Sequence, residues 1–71
     1  MVRTTDIRIG QRMYEETMRL WPSPTEAAKK MGCHRNVVYT WERGTAPSAL
    51  FLARLDALGG NVLYVITGRK A

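Results

Sequence analysis

Five side chains within one short stretch hold most of the chemistry this sequence offers: Arg35, Asn36, Tyr39, Thr40 and Arg43. They follow one another at steps of one, three, one and three residues, the spacing of neighbours along one face of a helix. A planar guanidinium at 35 fits guanine O6 and N7, and a carboxamide at 36 fits adenine N7 and N6. Each such pair discriminates between bases by about 1–3 kcal/mol. Thr40 can meet a thymine methyl or lie on the rim of a contact. Tyr39 is grouped with these base-reading candidates; its hydroxyl also suits a phosphate, and its ring suits packing at the helix edge. Arg43 is the phosphate candidate at the far end. The plain readings stand beside these: a solvated or phosphate-bound arginine at 35, and a local hydrogen bond from Asn36 to the start of its helix.

The segment just upstream adds an anion site of a different kind. Ser23 and Thr25 open a helix whose exposed amides favour a phosphate, with Lys29 further along it. For Lys29 and Lys30 a solvated helix face is the better account, with phosphate contact beside it. Eleven Lys and Arg against six Asp and Glu leave a net charge of +5. That balance suits a polyanion, because basic side chains displace counterions from phosphates. A merely basic surface is the competing account, since the charges are spread along the chain. Catalytic and metal chemistry find little support. Cys33 and His34 are adjacent and point apart in most backbones, and no second Cys or His completes a zinc set. Cys33 is expected to be buried packing. Glu15 and Glu16 read as surface charges, Glu42 as a pairing that holds the end of its helix, and Gly59-Gly60 as a turn. No cofactor or metal is expected, and the chain is not expected to be an enzyme.

These residues need a scaffold, and the hydrophobic spacing predicts a helical one. Asp6–Leu20 has Ile9, Met13, Thr17 and Leu20 on one face, with Tyr14, Met18 and Trp21 flanking it. Trp21-Pro22-Ser23-Pro24 stops it. Ser23 then caps a second helix, Pro24–Met31, with proline at its first position and Glu26 completing a capping box. Ala27, Ala28 and Met31 form its inward side, and Gly32 ends it. The third helix, His34–Arg43, turns Val38 and Trp41 inward with Val37 beside them, and Gly44 closes it. A fourth, Ser48–Leu58, carries Leu52, Leu55 and Leu58, supported by Leu50 and Phe51. The last segment, NVLYVITG, is divided: β-branched and aromatic content favours a strand, whereas Asn61 as cap and Gly68 as terminator favour a helix. One domain over 1–71 is expected, with its core about 6–68 and a loose tail at 69–71. The lone cysteine and the lack of a signal peptide or membrane-length apolar run point to a cytoplasmic protein.

Ala28, Gly32, Val38 and Trp41, followed by Glu42-Arg43-Gly44, resemble the phage repressor and Cro-type helix-turn-helix family. The resemblance extends through Pro47-Ser48, the leucine-rich fourth helix and NVLYVITG, about residues 9–68 in all. It implies an all-α fold, a compact five-helix bundle of the lambda-repressor-like type, so the final segment becomes a helix. It implies that Pro24–Met31 crosses the DNA backbone and His34–Arg43 enters the major groove. Arg35, Asn36 and Thr40 then occupy base-reading positions and Arg43 a phosphate position. The chain departs from the family at Pro24, where glutamine is usual, and at His34, where a serine or threonine cap is usual. The implied function is a transcriptional regulator, a compact Cro-like repressor that binds double-stranded DNA as a homodimer. Leu63, Tyr64 and Ile66 are the dimer candidates, because a small core would otherwise expose them; capping the core within one subunit is the alternative. Two other functions remain open: an antitoxin whose main partner is a toxin protein, and an interaction module that has lost DNA binding.

Overall fold

The computed structural model describes residues 4–69, with side chains from residue 7 onward. Residues 1–3 and 70–71, including the end of the expected tail, lie outside the described residues; Arg69 follows the last helix as irregular chain. Among the described residues there are five helices and no strand: α1 Thr4–Leu20, α2 Pro24–Met31, α3 Arg35–Glu42, α4 Ala49–Ala57 and α5 Val62–Thr67. The expected limits move slightly inward for α3 and α4, because His34, Arg43, Ser48 and Leu58 are their capping residues.

Each helix is ended by local chemistry. The Ser23 hydroxyl accepts from the Glu26 amide at 3.2 Å, and Pro24 stands at the first helical position. The Glu26 carboxylate lies 3.6 Å from Lys29 Nζ. After Met31, Gly32 adopts a left-handed conformation (φ 71°), and the Cys33 amide turns back to donate to the Ala28 carbonyl at 3.0 Å. The divided reading of the last segment resolves as helix. Asn61 Oδ1 accepts from the Tyr64 amide at 3.0 Å, Gly68 is left-handed, and no described strand exists to pair with it. A ladder partner is what β-branched residues need in order to express their preference.

All five helices contribute to one core: Met13 from α1, Ala27, Ala28 and Met31 from α2, Val38 and Trp41 from α3, Leu55 from α4 and Val65 from α5. α3 packs chiefly on α1 and α2, and α1 also carries α5. The two alanines of α2 let its backbone approach closely, as their size suggests. Gly10, a buried helical glycine, does the same for α1. A Cβ there would stand 2.4 Å from the Thr45 carbonyl oxygen, so the turn after α3 rests directly on the α1 backbone.

Three expectations are corrected. Glu16 is not a surface charge: it is 4% exposed, bound by Arg19 at 2.6 and 2.9 Å, and accepts from the Asn61 amide at 2.7 Å. It lies on the same face as Met13 and Thr17, where partners of this kind make a buried carboxylate tolerable. In α4 the inward stripe is Phe51, Leu52 and Leu55, whereas Leu50 and Leu58 are 56% and 41% exposed. Leu50 is half a turn away from the buried side, and Leu58 lies past the last helical residue. Cys33 is half-buried rather than fully buried; its side chain packs against the core, and burial pushes its thiol pKa up against the opposing charge of Arg54.

Candidate nucleic-acid interface

α3 is two-sided. Its Val38 is fully buried and Trp41 nearly so, while Arg35, Asn36 and Arg43 are exposed and Tyr39 and Thr40 half-buried. The apolar pair sits three residues apart, so burying it forces the polar residues outward. Trp41 meets Phe51 of α4 edge-to-face, with ring centroids 5.5 Å apart at 67°. Such a contact fixes the roll of α3 about its axis as well as its depth.

The first turn of α3 is held by His34. Its Nδ1 accepts from the Asn36 amide at 3.1 Å, so an imidazole does the work of a serine or threonine cap and must be unprotonated at that nitrogen to do so. The local bond at Asn36 therefore uses its backbone, and its exposed carboxamide is not part of it. Thr40 is different: its hydroxyl donates to the Val37 carbonyl, which leaves the methyl and the oxygen's acceptor lone pairs for any surface. At the far end, the Glu42 carboxylate engages the Tyr14 phenol of α1. Burial first, and that carboxylate second, raise the Tyr14 pKa. Glu42 thus acts on a group of its own domain, the phenol of α1.

The phosphate candidates Thr25, Lys29 and Arg43 are exposed, and Ser23 is half-buried with its hydroxyl already accepting from Glu26. Thr25, Lys29 and Arg35 line one shallow hollow with Ala28, Cys33 and His34, so the start of α2 and the start of α3 face a common space. The Lys29–Glu26 pair is long and exposed, and an ion pair of that kind holds its lysine only weakly. Among the described residues, the guanidiniums of Arg35 and Arg43 have no internal acceptor.

Charge alone does not reveal which cations are already engaged. Arg12 donates to the Val65 and Ile66 carbonyls at 3.0 and 3.2 Å, holding the end of α5. Arg19 is bound to Glu16, and Arg54 donates to the Met31 carbonyl at 2.9 Å. These three are internal fasteners. Among the described residues, Arg8, Lys29, Lys30, Arg35, Arg43 and Arg69 remain exposed. Of the positioning residues that sequence reasoning missed, Gly10 had a signal, being a glycine inside a helical pattern. Arg12 and Arg54 had none, because their partners lie on other helices, and the Glu16–Arg19 spacing of three residues is equally that of a surface pair.

On α5, Leu63 and Ile66 are 49% and 43% exposed. Tyr64 is half-buried, and its hydroxyl donates to Glu15 at 2.8 Å, which raises its pKa. The dimer candidates thus form an apolar strip with its tyrosine tied to α1. Among the described residues no cluster of His, Cys, Asp and Glu is arranged to hold a metal, and no helix is long and apolar enough to cross a membrane. Comparison with protein-family models, with curated proteins and with solved structures finds no match.

Proposed function

We propose that this chain is a sequence-specific DNA-binding transcriptional regulator, a cytoplasmic repressor of the Cro-like helix-turn-helix type with a lambda-repressor-like bundle. The observation that carries the reading is the split face of α3, with Val38 and Trp41 buried and Arg35, Asn36 and Arg43 exposed. An eight-residue helix so anchored is the right size for the major groove, and its exposed groups match what base edges and phosphates accept. Arg35 reads guanine, Asn36 reads adenine, Thr40 places its methyl against thymine, and Tyr39 stands at the edge of the same face. Arg43, with Lys29 and the Ser23–Thr25 turn, takes phosphates. Leu63 and Ile66, flanking Tyr64, cover one another across a two-fold axis in a homodimer, which aligns two half-sites of a pseudo-palindrome.

The test is selection of bound duplexes from a random pool, run on the native chain and on Arg35→Ala. The native protein is expected to return two half-sites spaced by about one helical turn. The variant is expected to lose preference at one base pair per half-site, with a cost of about 1–3 kcal/mol. Absence of binding to any duplex at low salt would overturn the proposal, and an unchanged preference in the variant would remove Arg35 from base readout.

A further inference from the structure

Met31 closes α2, and its carbonyl needs a donor that the chain just after it does not supply, since the Gly32 and Cys33 amides turn back to Lys29 and Ala28. The donor comes from another helix: Arg54 of α4 reaches it with Nη1 at 2.9 Å. The same guanidinium lies 5.4 Å from the centroid of the Phe51 ring, and Phe51 meets Trp41 of α3 edge-to-face. One side chain therefore joins the end of α2, the body of α4 and, through Phe51, the buried tryptophan of α3. It approaches the α2–α3 turn from a different side than the polar face does. The hollow beside Arg54 is lined by Lys30, Met31, Gly32, Ala57 and Leu58, none of which lines the hollow that holds Arg35. Gly32 completes the fit, because a Cβ there would stand 3.3 Å from Arg54 Nη1.

We infer that Arg54 is a positioning residue for the polar face of α3, setting the angle between α2 and α3 without touching the nucleic acid; the inference deepens the DNA-binding reading and rests on it. A cation on the carbonyl end of a helix gains from the helix dipole as well as from a charge-assisted hydrogen bond. The planar guanidinium does this while lying over an aromatic ring, which the point charge of a lysine cannot reproduce. Without it, the Met31 carbonyl loses its donor and the turn before Arg35 gains freedom. Base readout needs Arg35 and Asn36 held in register, whereas phosphate attraction tolerates a loose angle. Specific binding should therefore suffer while non-specific binding does not.

The experiment uses the complete chain with Arg54→Met and Arg54→Lys, at temperatures where each is fully folded. Binding is measured across a salt series on a duplex selected by the native protein and on an unrelated duplex, with amide hydrogen exchange measured in the absence of DNA. Arg54→Met is expected to weaken the selected duplex by about tenfold, at an unchanged salt slope and unchanged affinity for the unrelated duplex. Its amides from Val38 to Glu42 are expected to exchange faster relative to Val65, and Arg54→Lys is expected to recover part of both effects. Equal loss on both duplexes with a slope reduced by about one would make Arg54 a phosphate contact and overturn the inference. Unchanged affinity for the selected duplex, with only a lower melting temperature, would overturn it too. If the native chain selects no duplex, the DNA-binding reading falls on its own. The exchange data still judge whether Arg54 holds α3, and unchanged protection there would reject that role.

Discussion

Replacing Gly10 by alanine sets two effects of known size against each other. In a helix interior, alanine is favoured over glycine by about 0.5–1 kcal/mol, because glycine loses more backbone freedom on folding. Here the added Cβ would stand 2.4 Å from the Thr45 carbonyl oxygen and 2.8 Å from the Gly44 and Thr45 carbonyl carbons. All three neighbours are backbone atoms, so no flexible side chain can yield. Relief requires the turn after α3 to move by roughly half an ångström or more. Overpacking costs about 1–3 kcal/mol, and unyielding backbone neighbours place this case at about 2–3; less about 1 kcal/mol for the lost glycine, the net destabilisation is about 1–2 kcal/mol. For a domain this small that lowers the melting temperature by roughly 4–16 °C, read by circular dichroism. The displaced turn begins right after Arg43, so affinity for a duplex selected by the native protein is expected to fall as well. A Gly10→Ala protein that melts at or above the native temperature would refute the close approach of α1 to that turn.

Three further predictions test separate parts of the molecule. Arg43→Ala is expected to weaken binding to all duplexes alike and to flatten the salt slope by about one, as measured by titration across a salt series; a loss confined to one base pair would assign Arg43 to base readout. Glu16→Ala is expected to cost about 1–3 kcal/mol in chemical denaturation, because it strips the Asn61 amide of its acceptor and opens a gap beside Met13; native-like stability would show that the carboxylate does not hold α5. The Tyr64 phenol donates to Glu15, so folding favours its neutral form and its pKa is raised. The stability this contributes is complete below the ordinary tyrosine pKa of about 10 and is lost as pH rises through the folded value. Tyr64→Phe should therefore show a shallower decline of stability at alkaline pH than the native chain; identical pH profiles would exclude the Tyr64–Glu15 bond as a source of the decline.

Much of the scaffold can be read from residues in order along the chain. Pro22 to Pro24, Gly32, Gly44 and Gly59-Gly60 punctuate the helices by backbone chemistry that needs no distant partner, and each expected break is where a helix ends. The inward faces of α2 and α3 followed from helical period alone, since Ala27, Ala28, Met31, Val38 and Trp41 recur at spacings that share a side. The exposed set from Arg35 to Arg43 is the complement of that stripe, and so was legible for the same reason.

What tertiary structure decided are the matters that hang on which helix lies beside which. NVLYVITG has residues suited to either a strand or a helix, and becomes a helix where Asn61 caps it, Glu16 takes the Asn61 amide and Arg12 holds its carbonyl end. Local spacing does not distinguish Arg12 and Arg54 from solvated arginines, nor Glu16 from its exposed neighbour Glu15, because the partners that set them apart lie 53, 23 and 45 residues away. Hydrophobic period records how far a side chain stands from the core, and it carries no information about a hydrogen bond across the bundle. The local sequence therefore shapes the polar edge of α3, and the packed bundle, through Gly10, Phe51 and Arg54, sets the direction in which that edge points.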